Sequence, residues 1–498
     1  MYRCYTGTQT RLAEQPRLAA GDGATLMRTA ARGLAHHILH LLRHRGRVYG
    51  SRVVGLVGKG NNGGDTLWAL SYIAARGVAV TALPIAAAAT DLHAAGRAAF
   101  ESAGGRLTAT IDPQADIVVD GIFGTGFAGT FDVPGYLAER QLKIPDATHI
   151  VACDVPSGVH TDTGRIAGAS LVAQSTVTFG GPKVGLLAGA GAQHAGAVHV
   201  IDIGLGPELA GIEDPWWVAE HPDIAHYFGS PAWNVHKYSR GVLSVVAGSP
   251  EYPGAAVLVT TAAAATGIGY LTFVADPSDG NAVAPQVLAA VPQAVVQEVV
   301  SPKATAVVVG PGLGDMASAQ AAVQTVLQHA AHRGLPILVD ASGLDALAED
   351  SFASGYAALV LTPHVGELQR LIQRFVPEVA EESTVDQAKV FARRFGVWVV
   401  LKSDTTYVLG PEGQQSLHPP YTSELATAGT GDTLAGILGA GLATLNPADN
   451  TFDDDLFALL TAGVRLHSLS GQLAAADGGV EVSTLHDYIR RAKRYVLE

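Results

Sequence analysis

The chain has almost nothing to cross-link with: 498 residues hold only two cysteines, Cys4 and Cys153, so a disulfide-stapled secreted fold is excluded. Cys153 lies in the apolar run Val151-Ala152-Cys153 and reads as a buried small side chain. Charge is also scarce, at 15% of residues, and the 32 Lys and Arg are outnumbered by 45 Asp and Glu, leaving a net charge of −13. Neutralising a phosphate backbone needs a basic face, so no nucleic-acid partner is expected; a local basic pocket for a small anion stays open. Long polar tracts are missing, and 48% hydrophobic residues fit a compact globular chain. The first twenty residues carry charges and no apolar core of signal-peptide length. One stretch, 255–275, has no charge, but it is rich in Ala, Thr and Gly and breaks at Thr266-Gly267-Ile268-Gly269. It reads as a buried helix followed by a strand, not a membrane span. The expectation is a cytoplasmic protein with no membrane partner. The 58 glycines follow no three-residue period, which excludes collagen; their clusters fall just after apolar runs, where α/β proteins place ligand loops.

The length predicts two or more domains. Runs at 52–57, 116–119 and 149–153 are apolar almost throughout, so both faces must be covered, as in parallel strands flanked by helices. The Ala-rich segments between them, such as 66–76 and 92–102, have helical spacing. From about 207 to 236 the texture changes to Pro, Trp, His and acids without a period. The boundary is placed there, near 228, giving domains 1–228 and 229–498. The alternation then resumes, with strands at 241–247, 305–309, 336–340, 357–362 and 397–401 and helices at 255–265, 317–332, 366–375 and 431–445. The halves show no repeat, so two different α/β folds are expected in series.

In the first half, the strand ending at Val57 runs into Gly58-Lys59-Gly60-Asn61-Asn62-Gly63-Gly64-Asp65 and then a helix. Glycines let the backbone approach a ligand, and a helix start offers N–H groups to an anion. Asp65 would cap that helix or hold a ribose hydroxyl. Two more loops leave apolar strands, Asp120-Gly121-Ile122-Phe123-Gly124-Thr125-Gly126 and Asp154-Val155-Pro156-Ser157-Gly158. In a doubly wound sheet these ends share one edge, so Asn62, Asp120, Asp154 and Ser157 would converge, with oxygens suited to a hard cation or to proton transfer. Alone, Asp154 would merely cap the Pro156-Ser157 turn.

These segments, with Thr178-Phe179-Gly180-Gly181-Pro182-Lys183, resemble the NAD(P)H-hydrate epimerase family in motif and order over most of residues 1–205. The resemblance implies a Rossmann-like three-layer αβα sandwich that interconverts the R and S epimers of hydrated NADH or NADPH. It implies a potassium ion on Asn62, Asp120 and Ser157. It implies a nucleotide held by Asn61, Asn62, Gly63, Gly64, Asp65, Gly124, Thr125, Gly126, Phe127, Ala128, Gly129, Thr130 and Asp154. Asp154 and Lys183 are the catalytic candidates; Lys183 reads equally as a phosphate-binding or a solvated loop lysine. Thr66 stands where the family usually has Gly, and Phe127-Ala128-Gly129 replaces a commonly polar position.

In the second half, Gly429-Thr430-Gly431-Asp432 opens an apolar helix. Such a start makes an anion hole. Asp432 is placed to take a proton beside it, or simply to cap the helix. Other strand-end loops are Gly310-Pro311-Gly312-Leu313-Gly314, Asp340-Ala341-Ser342, Thr362-Pro363-His364-Val365-Gly366-Glu367 and Lys402-Ser403-Asp404-Thr405-Thr406. His364 reads as a loop histidine or a ligand group. Together with His236-Lys237 and Val246-Ala247-Gly248-Ser249, the set resembles the ribokinase-like superfamily, and within it the ADP- or ATP-dependent NAD(P)H-hydrate dehydratases, over about 235–495. The resemblance implies a second αβα domain in which Ala255, Gly312, Gly314, His364 and Asp432 contact the hydrated nucleotide. Lys402, Ser403, Asp404, Thr405, Thr406 and Gly431 would bind ADP or ATP with its magnesium, and Asp432 would activate the substrate hydroxyl. Ser403 departs from the family's usual Gly. A fused epimerase and S-specific dehydratase is the favoured reading, expected as a homo-oligomer. The rivals are a small-alcohol kinase, which would not need the 60–65 loop, and a noncatalytic binding protein, which would not need Asp154, Lys183 and Asp432 together.

Overall fold

The computed structural model describes residues 1–498 apart from 128, 277–281, 353–354 and 420. They form two compact units, Arg3–Trp216, and Trp217–Glu498 together with Met1–Tyr2. The division thus falls before the expected boundary near 228. The reason is the helix His221–Phe228, whose Ile224 and Phe228 are buried in the core of the second unit.

The first unit is built on a seven-stranded sheet in the order Ala197–Ile201, Ser175–Phe179, His149–Cys153, Ile117–Gly121, Arg52–Val57, Ala79–Pro84, Arg106–Leu107. Every pairing in it is parallel. Strand side chains alternate between two cores. Val53 and Val57 pack under helices Gly23–His44 and Asn61–Ala74, with Leu34, Ile38, Leu67 and Leu70. Val54 and Leu56 face the other way, onto Val133 and Leu137 of helix Val133–Glu139. Each fully buried Val or Leu contributes about 1.5–3 kcal/mol relative to exposure, which is why the runs are apolar on both faces. Later strands add on opposite sides of Arg52–Val57, so the crevice between its carboxyl end and that of Ile117–Gly121 is the switch point where such sheets bind ligands.

In the second unit the order is Gln415–His418, Thr406–Leu409, Trp398–Leu401, Ala358–Leu361, Pro336–Val339, Ala306–Val309, Val242–Val246, Tyr270–Val274, Val295–Gln297. From Trp398–Leu401 onward the pairings are parallel. The first two strands form an antiparallel hairpin with it. Leu243, Val245, Val308, Leu338 and Val400 pack against helices Pro253–Thr266, Thr430–Leu442 and Phe452–Ala476. The alternate residues Val307, Ile337, Val339 and Val399 are buried on the opposite face, which carries helices Met316–Arg333 and Thr384–Phe395. Here the switch point separates Val242–Val246 from Ala306–Val309, and the loops beyond are tied by Gly248 N donating to Pro311 O at 2.7 Å. Among the described residues, no helix is long and apolar enough to cross a membrane.

Candidate active sites

At the first switch point the loop after Val57 turns into helix Asn61–Ala74 with Gly60 as its N-cap. Gly63 must be glycine: a Cβ there would lie 2.1 Å from Gly58 O. Asp65, buried in the second turn, therefore does not cap. It has Oδ1 unpartnered, and burial, then Asp154 and Glu14, push its carboxyl well above the usual range. Thr66 is fully buried, donates to Asn62 O at 3.0 Å and packs toward Gly55 and Gly121 of the sheet. It faces the strands, so its departure from Gly does not alter the loop surface.

Asp120 is fully buried. It accepts from Ser157 Oγ at 2.6 Å, Ser157 N at 2.8 Å and Ile122 N at 3.4 Å; burial outweighs these bonds and raises its carboxyl. Asn62 Nδ2 donates to Phe123 O at 2.8 Å, while Asn62 Oδ1 is buried and unpartnered. Asp154, at φ +64°, accepts from Lys183 Nζ at 2.8 Å, Thr178 Oγ1 at 3.1 Å and Thr125 N at 3.2 Å, so it does not act as the turn cap. Lys183 is 1% exposed and also donates to Thr178 Oγ1 at 2.9 Å and Phe179 O at 2.7 Å. The solvated-loop alternative for this lysine is thereby excluded.

The structure brings Asn62, Asp120, Gly124, Thr125, Asp154, Ser157 and Lys183 together. Asn61 begins the helix, exposed; Gly126, Gly129 and Thr130 lie exposed along the loop. Phe127 stacks on Phe123 at 4.1 Å. Ala128 lies outside the described residues. Sequence reasoning missed Thr178, Arg11 and Glu14. The last two stand on helix Gly7–Ala19: Arg11 donates to Thr125 O at 2.6 Å, and Glu14 interacts with Lys183 and Asp154. Its signal was available in Thr6-Gly7-Thr8-Gln9, a reciprocal capping box.

At the second switch point, helix Thr430–Leu442 starts from Gly429 at φ +93° with no side-chain cap. Thr430 N donates to Thr427 O at 3.3 Å, so among the described residues it is the N–H groups of Gly431 and Asp432 that are left for an anion. Asp432 is in the first turn but caps nothing. Burial first, then Asp340, push its carboxyl up to about 7, with Lys402 opposing. Lys402 Nζ donates to Asp340 Oδ1 at 2.7 Å and stands 3.3 Å from where a Cβ on Gly431 would lie. His364 is the N-cap of helix Val365–Phe375; its Nδ1 accepts from Gly366 N at 3.0 Å and its backbone N donates to Glu367 Oε2 at 2.7 Å. Its side chain stays 55% exposed with Nε2 3.3 Å from Glu367 Oε1, so it is both cap and open ligand group. Gly310, at φ +126°, passes so close to Asp340 that a Cβ would lie 1.9 Å from its carbonyl oxygen.

Ala255 and Gly312 meet across the crevice, and Gly314 faces Ser249. Helices Pro253–Thr266 and Thr430–Leu442 pack with Gly436 on the Val259 backbone and Gly429 on Leu258, which sets their first turns side by side. Lys402, Ser403, Asp404 and Thr405 link the antiparallel strands Trp398–Leu401 and Thr406–Leu409, and Thr406 begins the second of them. Ser403 and Asp404 are exposed, whereas Thr405 is buried and holds Ser403 Oγ on its carbonyl at 2.5 Å. Asp340 and Glu367 were not among the expected site residues; the signal for Glu367 is the capping-box spacing from His364.

The family model described as NAD(P)H-hydrate dehydratase matches residues 243–494, and the model of the YjeF-related protein N-terminus matches 23–185. The bifunctional NAD(P)H-hydrate repair enzyme of Mycobacterium leprae is 36% identical over 488 residues, spanning 96% of this chain and 95% of that protein. The chain belongs to the bifunctional NAD(P)H-hydrate repair enzyme family. The Mycobacterium tuberculosis member is 38% identical over 457 residues, with 90% of each chain covered. The two αβα units correspond to the Rossmann-like and ribokinase-like domains of this family. A Bacillus subtilis ADP/ATP-dependent NAD(P)H-hydrate dehydratase, co-crystallised with ATP and magnesium, superposes with a TM-score of 0.48 at 25% identity, covering 57% of this chain and 100% of that one.

Proposed function

We infer that this protein repairs hydrated NADH and NADPH in two steps, epimerising the damaged nucleotide in its first unit and dehydrating the S epimer in its second. The observation that carries the reading is Asp432, a carboxyl pushed to about 7 beside an uncapped helix start and a lysine, in a chain that matches bifunctional repair enzymes almost end to end. Water adds to a dihydronicotinamide at the ring carbon next to nitrogen, because the enamine carbon beyond it takes the proton. The hydroxyl is therefore on a hemiaminal carbon. Loss of that hydroxyl with help from the nitrogen lone pair, and return of water to the other face, interchanges the epimers. Asp154 and Lys183, hydrogen-bonded to each other, hold and move the proton on the leaving and returning oxygen, while Asn61–Asp65 and Gly124–Thr130 hold the nucleotide.

In the second unit Asp432 takes the proton of the S hydroxyl. The oxygen attacks the terminal phosphorus of ADP or ATP and displaces AMP or ADP, with the anion hole and Lys402 stabilising the phosphate charge. Phosphate then leaves with the carbon–oxygen bonding pair, and the proton of the adjacent carbon passes to water as the ring double bond re-forms. Ala255, Gly312, Gly314 and His364 hold the nicotinamide nucleotide; Lys402–Thr406 and Gly431 hold the adenine nucleotide. Magnesium would come with that nucleotide. A potassium ion fits the first unit: Asn62 Oδ1 is buried and orphaned, Asn62 Nδ2 ties the side chain to Phe123 O, and Ser157 links Phe123 to Asp120, so the residues available offer oxygens, a hard donor set. When bound it would supply a fixed positive charge in the site. The setting proposed is a cytoplasmic homo-oligomer.

The test is to give the pure protein both epimers of hydrated NADH with ADP and magnesium and follow reduced nicotinamide. Conversion of both epimers is expected. Conversion of the S epimer alone removes the epimerase half, and no reduced nicotinamide removes the dehydratase half.

A further inference from the structure

Asp340 ends the strand Pro336–Val339 with its side chain 2% exposed. Its backbone is fixed from several sides. The N–H donates to Val309 O at 3.2 Å, the carbonyl accepts from Gly343 N at 3.0 Å, and Gly310 lies against that carbonyl. The carboxylate takes the Lys402 ammonium at 2.7 Å, and among the described residues Lys402 Nζ has no second hydrogen-bond partner. That ammonium stands over Gly431 in the first turn of helix Thr430–Leu442, and Asp432 is the next residue. One cation thus lies between two carboxylates. Pairing with Asp432 would take the negative charge from the base; pairing with Asp340 leaves Asp432 free and the ammonium over the anion hole.

We propose that Asp340 is a positioning residue for the phosphoryl-transfer step: it holds Lys402 over the helix start, where a phosphate oxygen will meet it, and keeps it from neutralising Asp432. The proposal rests on the dehydratase reading above. The charged groups facing Asp432 are Asp340, Lys402 and, from helix Val365–Phe375, Glu367. His467 of helix Phe452–Ala476 lies behind the same turn, but burial pushes it down to about 4, so it adds no charge near neutral pH.

Two variants shift the acid limb of the dehydration profile in opposite directions. Asp340→Asn removes a like charge and releases Lys402 toward Asp432, so the limb moves about one unit to lower pH. A weaker base also lowers the plateau rate about tenfold. Lys402→Met removes the neighbouring cation, so the limb moves to higher pH. ADP affinity, measured by titration calorimetry without turnover, falls about fivefold in Asp340→Asn (a lost charge-assisted contact) and no further when Lys402→Met is combined with it. A limb unmoved in both folded variants, or unchanged ADP affinity in Asp340→Asn, overturns the proposal. If Asp340→Asn does not fold, Lys402→Met still decides, because an unmoved limb there overturns it as well. If the wild type binds ADP yet dehydrates nothing, the dehydratase reading has failed, while the calorimetry still tests the link between Asp340 and Lys402.

Discussion

Both units place a lysine–aspartate pair at the carboxyl edge of a parallel sheet, and the two pairs are built differently. Lys183 is 1% exposed and spends its three ammonium protons on Asp154, Thr178 and the Phe179 carbonyl. Lys402 is 21% exposed, and among the described residues Asp340 is the single hydrogen-bond partner of its ammonium. A saturated ammonium fixes its neighbour and has nothing left for a phosphate. An unsaturated one at an uncapped helix start is ready for incoming oxygens. The difference suits the two proposed chemistries: proton movement on a hemiaminal needs a rigid acid–base pair, whereas phosphate transfer needs charge that the ligand completes.

The sharpest way to break this contrast is to remove one site at a time. Asp432→Asn is expected to lower dehydration roughly 10³-fold and leave epimerisation, followed by chromatography, within about twofold; joint loss would show the sites are not independent. Lys183→Met should stop epimerisation and destabilise the first unit by about 3–5 kcal/mol in denaturant unfolding, because Asp154 is left buried and unpaired.

The pH response separates the units more finely. Burial, then Asp340, hold Asp432 at about 7, so dehydration should fall as pH drops below about 7 and the base takes its proton. That carboxyl is raised above its unfolded value, so the folded second unit gains stability as pH falls from 7 toward 4. Asp432→Asn should therefore raise its melting temperature by about 2–4 °C at neutral pH. In the first unit the sign is opposite. His37 and His149 both reach Ser175 Oγ, at 2.9 and 3.3 Å, and the His199 ring lies tilted against that of His37 with centroids 4.3 Å apart. Burial, then His199 and His149, push His37 down to about 4, and burial also lowers the other two. The unfolded chain takes these protons first, so stability is lost as pH falls from about 6.5 toward 4, and His37→Gln should flatten that loss in calorimetry. The smallest effect is expected at Ser403. It is exposed and its hydroxyl donates to the Thr405 carbonyl, so Ser403→Gly should change the KM for ADP by less than about twofold.

Much of the fold is legible because the strands are buried on both faces. The runs at 52–57 and 149–153 became Arg52–Val57 and His149–Cys153 without change, and the helix read at 366–375 became Val365–Phe375. The hairpin Thr406–Leu409 and Gln415–His418 was not read. Gln415, Ser416 and His418 are buried polar residues, so hydrophobic pattern had nothing to report there. Helix Phe452–Ala476 escaped because sixteen of its 25 residues are buried, which removes the amphipathic period. The boundary slipped for a related reason: the Pro- and His-bearing segment at 221–228 looks like a linker but buries Ile224 and Phe228.

Motif order and strand-end glycines set, from sequence alone, which loops face the ligands and which residue types they bring, because backbone approach and helix-start N–H groups are local properties. Only the tertiary structure decided who partners whom. It turned Thr66 to the sheet, gave Asp65 and Asp432 roles other than capping, brought Glu14 to Lys183 and set Asp340 on Lys402. The Lys402–Asp340 pair joins residues 62 positions apart in the chain, and burial turns an ordinary carboxyl into one poised near neutral pH.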